Sequence, residues 1–283
     1  MKTIIHASLS MALILFLVPA LQAAEVQRFQ WDESRPRFRT SEYVVTGLAL
    51  AGSAVNFYLI PPPRSPVWKG EILFDKGARN TLLIRSESSR DGAKTLSDIL
   101  TFPLIGYAMA DGPIAAGWTG GNKDTAIQLS LINAETFAVT EVLNLTVSNM
   151  IPRRRPEGAV CDPNTQYDPH CVKSFWSGHT ANVFAAASLI CAEHEALDLY
   201  GGKADAAVCG ASLAAASGIG VLRIAANDHH ASDVIVGAAV GAATGYLMPN
   251  LLHFKAKKSG YQLGYLIPNA GPNGGGLTYV RTW

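Results

Sequence analysis

The sequence predicts an all-α chain, a six-helix bundle, and three observations lead there. Six stretches rich in apolar residues are each long enough for several helical turns, and loops dense in Pro, Gly and Arg separate them. The last three stretches are loaded with Ala and Gly, which let helices approach closely. No run of alternating apolar and polar residues competes with them as a sheet. Hydrophobic residues make up 48% of the 283 residues and charged residues 16%, well below the roughly one quarter charged in ordinary soluble domains.

The elements follow in order. Residues 1–24 read as a cleaved signal peptide: Lys2, the apolar run Met11 to Pro19, then the small residues of Leu21-Gln22-Ala23-Ala24. A polar, Arg-rich lead-in covers 25–42, and a single domain covers 43–255. Its first helix, Tyr43 to Ile60, must stop at Pro61-Pro62-Pro63, because three prolines cannot continue a helix. The second apolar stretch, 97–117, is broken by Pro103 and by Asp111-Gly112-Pro113. The third runs from Asp124 to Asn149, with Leu129, Ile132, Phe137, Val142 and Leu145 at helix-like intervals. A loop over 150–176 leads to helices near 178–199, 206–224 and 232–253. The tail, 256–283, is short and irregular, with one short strand at Leu277 to Val280.

Composition excludes some classes. A net charge of +1 makes no basic field, so no nucleic-acid partner is expected. Export permits disulfides, and Cys161–Cys171 with Cys191–Cys209 is the simplest of three pairings. Stretches 43–60 and 232–253 are long enough to span a bilayer. Glu135, Glu141, Glu193, His194, Glu195 and Asp198 argue the other way unless they face inward. His170 and His194 read as surface groups. The apolar content tips the balance slightly towards membrane association; oligomeric state is open.

Three segments bear chemistry, each at a helix boundary: Arg153-Arg154-Arg155-Pro156, Ser174 to His179, and Arg223 with His229 and Asp233. Ser177 suits an N-cap, and Gly178 lets a ligand approach backbone N–H groups at the positive end of a helix. Arg155 and Arg223 can grip phosphate oxygens in bidentate fashion. Ser232 could cap the last helix. Asp233, four residues after His229, could accept the imidazole Nδ1–H and leave Nε2 free as a nucleophile. His179 could protonate a leaving oxygen and later take a proton from water. His230 is assigned no role beyond possible substrate contact.

In these motifs and their order, the chain over 97–253 resembles the type 2 phosphatidic acid phosphatases (PAP2), which share their fold and site with vanadium haloperoxidases and class A acid phosphatases. Their pattern is K-x6-R-P, then P-S-G-H, then S-R-x5-H-x3-D. The resemblance implies a PAP2/haloperoxidase bundle and a metal-independent phosphatase without a cofactor, working through a phosphohistidine. Arg155, Ser177, Gly178 and Arg223 would bind phosphate; His229 would be nucleophile, His179 general acid and Asp233 the orienting group. Three positions depart from the pattern: Ser148 stands where the Lys belongs, Trp176 replaces Pro, and Leu222 replaces Ser. Arg153 or Lys173 is a candidate substitute for the missing Lys. The expected substrate is a phosphorylated lipid or a small organic phosphate, reached from a periplasmic or membrane-associated position with the site facing the periplasm. Alternatives are a vanadate-dependent haloperoxidase, or a non-catalytic envelope protein that retains the bundle.

Overall fold

The computed structural model describes residues 29–156, 169–255, 265–271 and 274–280. The proposed signal peptide, Cys161 and much of the loop around it lie outside the described residues. Seven α-helices occur among those described, not six: α1 Thr40–Ala54, α2 Asp75–Leu82, α3 Glu87–Ile114, α4 Lys123–Met150, α5 Gly178–Leu197, α6 Lys203–Ala225 and α7 Ala231–Ala242. The added helix is α2, eight residues too polar to give an apolar stripe. Wider π turns continue α1 to Leu59 and α3 to Thr119, and α7 leads through two more towards Phe254.

Two sequence expectations fail here for identifiable reasons. The apolar stretch 97–117 is not broken: Pro103 and Pro113 both lie inside the 28-residue α3. A single missing N–H is tolerated where neighbouring helices clamp the segment on either side, and α5 and α6 both pack on α3. The described part of the tail is not irregular either. Tyr265–Gly271 pairs antiparallel with Gly274–Val280 as a two-stranded hairpin, β1 and β2.

Helix α5 is the axis of the bundle, with α3, α4, α6 and α7 around it. Its Ala181, Val183, Ala185, Ala186, Ala187, Leu189 and Ile190 have no exposed surface. Close approach comes from a glycine stripe on α7 and the π turn after it. A Cβ on Gly237 would lie 2.7 Å from the Ser177 carbonyl, one on Gly241 2.2 Å from the Ala181 carbonyl, and one on Gly245 2.1 Å from that of Ala185. The packing of backbone against backbone sets the start of α7 directly beside the start of α5. A Cys191–Cys209 disulfide clamps α5 to α6, and Cys171 is also disulfide-bonded.

Three of the charges that argued against a bilayer are turned inward, while Glu195 stays exposed and Glu141 and Asp198 are half-buried. Glu193 is fully buried, and Glu135 and His194 are 2% exposed, so His194 is not a surface group. Its ring lies between Asp205, 2.6 Å from Nδ1, and Asp111, 2.7 Å from Nε2. Large apolar side chains face out instead: Leu48, Phe102, Trp118 and Leu251 are each more than 60% exposed. Three helical stretches, Glu87–Thr119, Lys203–Ala225 and Ala231–Phe254, are long and apolar enough to cross a membrane.

Candidate active site

The helices alternate in direction, so the start of α3, the end of α4, the start of α5, the end of α6 and the start of α7 meet at one end of the bundle. All three chemistry-bearing segments are at this end. Arg153 to Arg155 run as an extended strip, held by Arg154 N–H donating to Trp68 O at 2.9 Å, Arg155 N–H to Cys171 O at 2.8 Å, and Ser174 N–H to Arg153 O at 3.0 Å.

Helix α5 begins at Ser177, whose Oγ accepts from Thr180 N–H at 3.4 Å and from Thr180 Oγ1 at 2.8 Å. Gly178 leaves room for α4: a Cβ there would sit 2.6 Å from Asn144 Nδ2, and that side chain would have to shift. Helix α7 begins differently from the expectation. Its N-cap is His230, in a reciprocal capping box with Asp233. Ser232 instead donates from N–H and Oγ to the two Asp75 oxygens, at 2.8 and 2.9 Å, so the small helix α2 buttresses the start of α7.

His229 is 3% exposed. Its Nδ1–H donates to the Ser174 carbonyl at 2.8 Å, while the nearest Asp233 oxygen is 3.9 Å away. The tautomer expected from an Asp233 contact is thus held by a backbone carbonyl. Asp233 acts one step removed: it accepts from Ser174 Oγ at 2.6 Å, from His230 N–H at 3.0 Å and from Arg153 Nη1 at 2.5 Å. Nε2 of His229 is left on the side of Asp228, 3.9 Å from Oδ2.

That side is a cationic basin. Arg155 and Arg223 each form an ion pair with Asp228, which has no exposed surface. Arg223 Nη1 also donates to Asp98 Oδ1 at 2.7 Å and to Ser97 Oγ at 3.0 Å. Asp98 Oδ1 in turn lies 2.9 Å from His179 Nε2. The two imidazoles therefore border one guanidinium, His179 through Asp98 and His229 beside Asp228. Burial holds His229 down to about pKa 3, helped by Arg155. Burial, then Arg223 and His229, hold His179 down to about 3 as well. Both rings are neutral near pH 7 with no anion bound.

Neither expected substitute for the missing Lys meets Asp228. Arg153 is fully buried and consumed by Asp75 at 2.7 Å and Asp233 at 2.5 Å, with Trp68 stacked 3.8 Å from its guanidinium carbon. It braces the walls. Lys173 has no carboxylate partner among the described residues, and burial pushes its ammonium below the usual lysine range. Ser148 donates to Leu145 O within its own helix, at 3.0 Å. The ammonium present in the basin is Lys94, from α3, 3.6 Å from Asp228 Oδ1. Lys94, Ser97, Asp98 and Asp228 were all missed from sequence. The first three share one face of α3 at helical spacing, but no motif links that face to the distant histidines.

A family model described as the PAP2 superfamily matches residues 125–257. A solved structure titled "Crystal structure of the first transmembrane PAP2 type phosphatidylglycerolphosphate phosphatase from Bacillus subtilis" is similar at a TM-score of 0.46 and 18% identity, covering 75% of this chain and 96% of that chain. No curated protein matches the chain. The matched stretch contains Arg155, Ser177, Gly178, His179, Arg223, His229 and Asp233, and over residues 125–257 the chain matches the PAP2 superfamily model.

Proposed function

We propose that the chain is a phosphatase that hydrolyses phosphomonoesters or pyrophosphates, with a lipid phosphate as the favoured substrate class. The observation that supports it most is the position of His229 Nε2 against the Arg155–Arg223 pair, with Nδ1–H fixed on the Ser174 carbonyl. An imidazole held neutral in one tautomer is a nucleophile with its lone pair ready.

In this reading Nε2 of His229 attacks phosphorus, and the bond from phosphorus to the leaving oxygen breaks. Arg155, Arg223 and the N–H groups opening α5 hold the remaining phosphoryl oxygens, where charge builds in the transition state. His179 gives a proton to the departing alkoxide. A phosphate dianion supplies the negative field that the resting basin lacks, so substrate binding raises His179 from about 3 towards its imidazolium form. Water then attacks the phosphohistidine, His179 takes its proton, and the N–P bond breaks. The residues use no cofactor in these steps.

Export is supported by the disulfides. Cys191 is thirteen residues along α5 from its start, roughly 20 Å from the site end, whereas Cys171 is beside the site. Oxidised pairs at both places favour export from the reducing cytoplasm. The three apolar helices favour embedding in a bilayer from that side, with the basin at the interface, where a lipid headgroup presents its phosphate. The test is His229→Ala, measured on phosphatidic acid and on p-nitrophenyl phosphate. Release should disappear while the melting temperature is retained; undiminished release by the variant refutes the assignment.

A further inference from the structure

The motifs do not account for Asp228, which precedes the nucleophile directly. A buried carboxylate beside the proposed phosphate site is unexpected, because like charge there opposes substrate binding. Yet Asp228 is not at the rim. It has no exposed surface, its two oxygens each take one of the two phosphate-gripping guanidiniums, and Lys94 approaches the first oxygen at 3.6 Å. Its Oδ2 is 3.9 Å from His229 Nε2, about the distance expected between a nucleophile and a group on the far side of a van der Waals contact.

A carboxylate bridging two guanidiniums and an ammonium, in front of a nucleophile, makes contacts that a phosphoryl group would make. The turn holding it there is well defined: Asn227 adopts φ of +63°, Arg79 Nε donates to its Oδ1 at 2.7 Å, and Asp228 N–H donates to Arg223 O at 3.1 Å. The side chain can swing away about χ1 without disturbing that backbone.

We propose that Asp228 is an internal competitor of the substrate phosphate, seated between Arg155, Arg223 and Lys94 when no substrate is bound and displaced only by an anion of higher charge. The proposal rests on the phosphatase reading for the identity of that anion. Two consequences follow. The tethered carboxylate neutralises three cations that would otherwise repel one another in a buried site, so the basin persists without ligand. It also sets a threshold. A phosphomonoester dianion brings more charge and three oxygens for three cations, and wins. A phosphodiester monoanion brings the same charge as the carboxylate, lacks the advantage of a tether, and loses. Lys94 then supplies the cation that Ser148 does not, from a different helix.

The experiment uses the full chain in detergent and compares wild type with Asp228→Asn and Asp228→Ser. Inhibition constants for orthovanadate and inorganic phosphate are measured against p-nitrophenyl phosphate hydrolysis. The rise in melting temperature with inorganic phosphate is recorded as a readout independent of turnover. The inhibition constants should fall by about tenfold in the variants, since an intramolecular competitor has been removed. The phosphate-induced rise should be larger than in wild type, and bis(p-nitrophenyl) phosphate should gain relative to the monoester. Unchanged or weaker anion binding in folded variants overturns the proposal. Variants that fail to fold even when phosphate is present also overturn it, because an anion able to take the carboxylate's seat must neutralise the same cations. The two readings fail separately. A wild type without phosphatase activity, whose Asp228 variants nonetheless gain a phosphate-dependent melting shift, refutes the phosphatase and keeps the competitor. An active wild type whose variants bind vanadate no better does the reverse.

Discussion

At the scale of single residues, Asp98 has the most to explain, because one oxygen serves two groups of the proposed mechanism. Oδ1 lies 2.9 Å from His179 Nε2 and 2.7 Å from Arg223 Nη1. It aims the proposed acid and offsets part of the field from Arg155, Arg223 and His229 that drives protons off it. Asp98→Asn keeps the shape and removes the charge. The expected result is a fall in kcat of roughly 100-fold, the low end of what a positioned acid contributes, with little change in KM; an unchanged kcat would remove Asp98 from the mechanism. A second consequence concerns pH and stability. His229 and His179 are held at about 3 in the folded chain, against an ordinary value near 6.5 when unfolded. The unfolded chain therefore binds more protons between those values, and stability falls as pH drops from about 6.5 towards 3. Thermal melting across that window should show it. His229→Gln should flatten the dependence, and an equal slope in the variant would show that His229 is not the buried neutral group described.

At the scale of elements, the glycine stripe on α7 sets the distance between the proposed nucleophile and the turn proposed to bind the anion. Ser177 N–H donates to Asp233 O at 3.1 Å, a bond that exists only because Gly237 and Gly241 let the two backbones touch. A Cβ at Gly241 would come 2.2 Å from the Ala181 carbonyl, and that backbone oxygen cannot move aside. Gly241→Val should cost about 1–3 kcal/mol of stability by overpacking and lower kcat as well, because α5 bears His179 and His229 directly precedes the N-cap of α7. Melting in detergent and initial rates measure both; a variant with wild-type melting and activity would show the contact to be slack. Element by element, the sequence was legible where period and punctuation agreed. The triple proline ends α1's extension on schedule, and Ser177 caps α5 as its position suggested. Pro103 misled, because a breaker's effect depends on what clamps the helix around it, and that information is tertiary. Helix α2 was hidden because it is held by Asp75 on Arg153 and Ser232 rather than by an apolar face. The motif residues gather at one end of the bundle, but Asp233's role moved one bond outward, and Arg153's moved from ligand to brace. Sequence spacing says which side chains are near each other; it does not say which competitor takes the hydrogen bond.

At the scale of the whole molecule, several ionisable side chains are buried beside the apolar core while large apolar side chains face outward. Buried positions include Glu135, Asp111, His194 and His253, arranged as partnered groups: His194 between Asp111 and Asp205, and Glu135 beside His253. The outward surface of the same helices shows Ile99, Phe102, Met109, Val221, Ile235 and Leu251. In water such a surface is an aggregation hazard. In a bilayer it costs nothing, while the charges inside are spared contact with hydrocarbon. The cationic basin is at the end of these helices, where a membrane interface would fall, and there the proposed lipid phosphate would need to move only its headgroup to reach Arg155 and Arg223. Alkaline carbonate distinguishes this arrangement from peripheral adhesion, because it strips proteins held by charge and leaves those held by apolar burial. Carbonate-washed membranes from cells expressing the full chain should keep the protein in the pellet, and non-ionic detergent should then release it with phosphatase activity intact. Recovery in the carbonate supernatant as an active, monodisperse species would mean that the apolar belt is covered by protein rather than lipid, and would shift the substrate from membrane lipids to soluble phosphate esters.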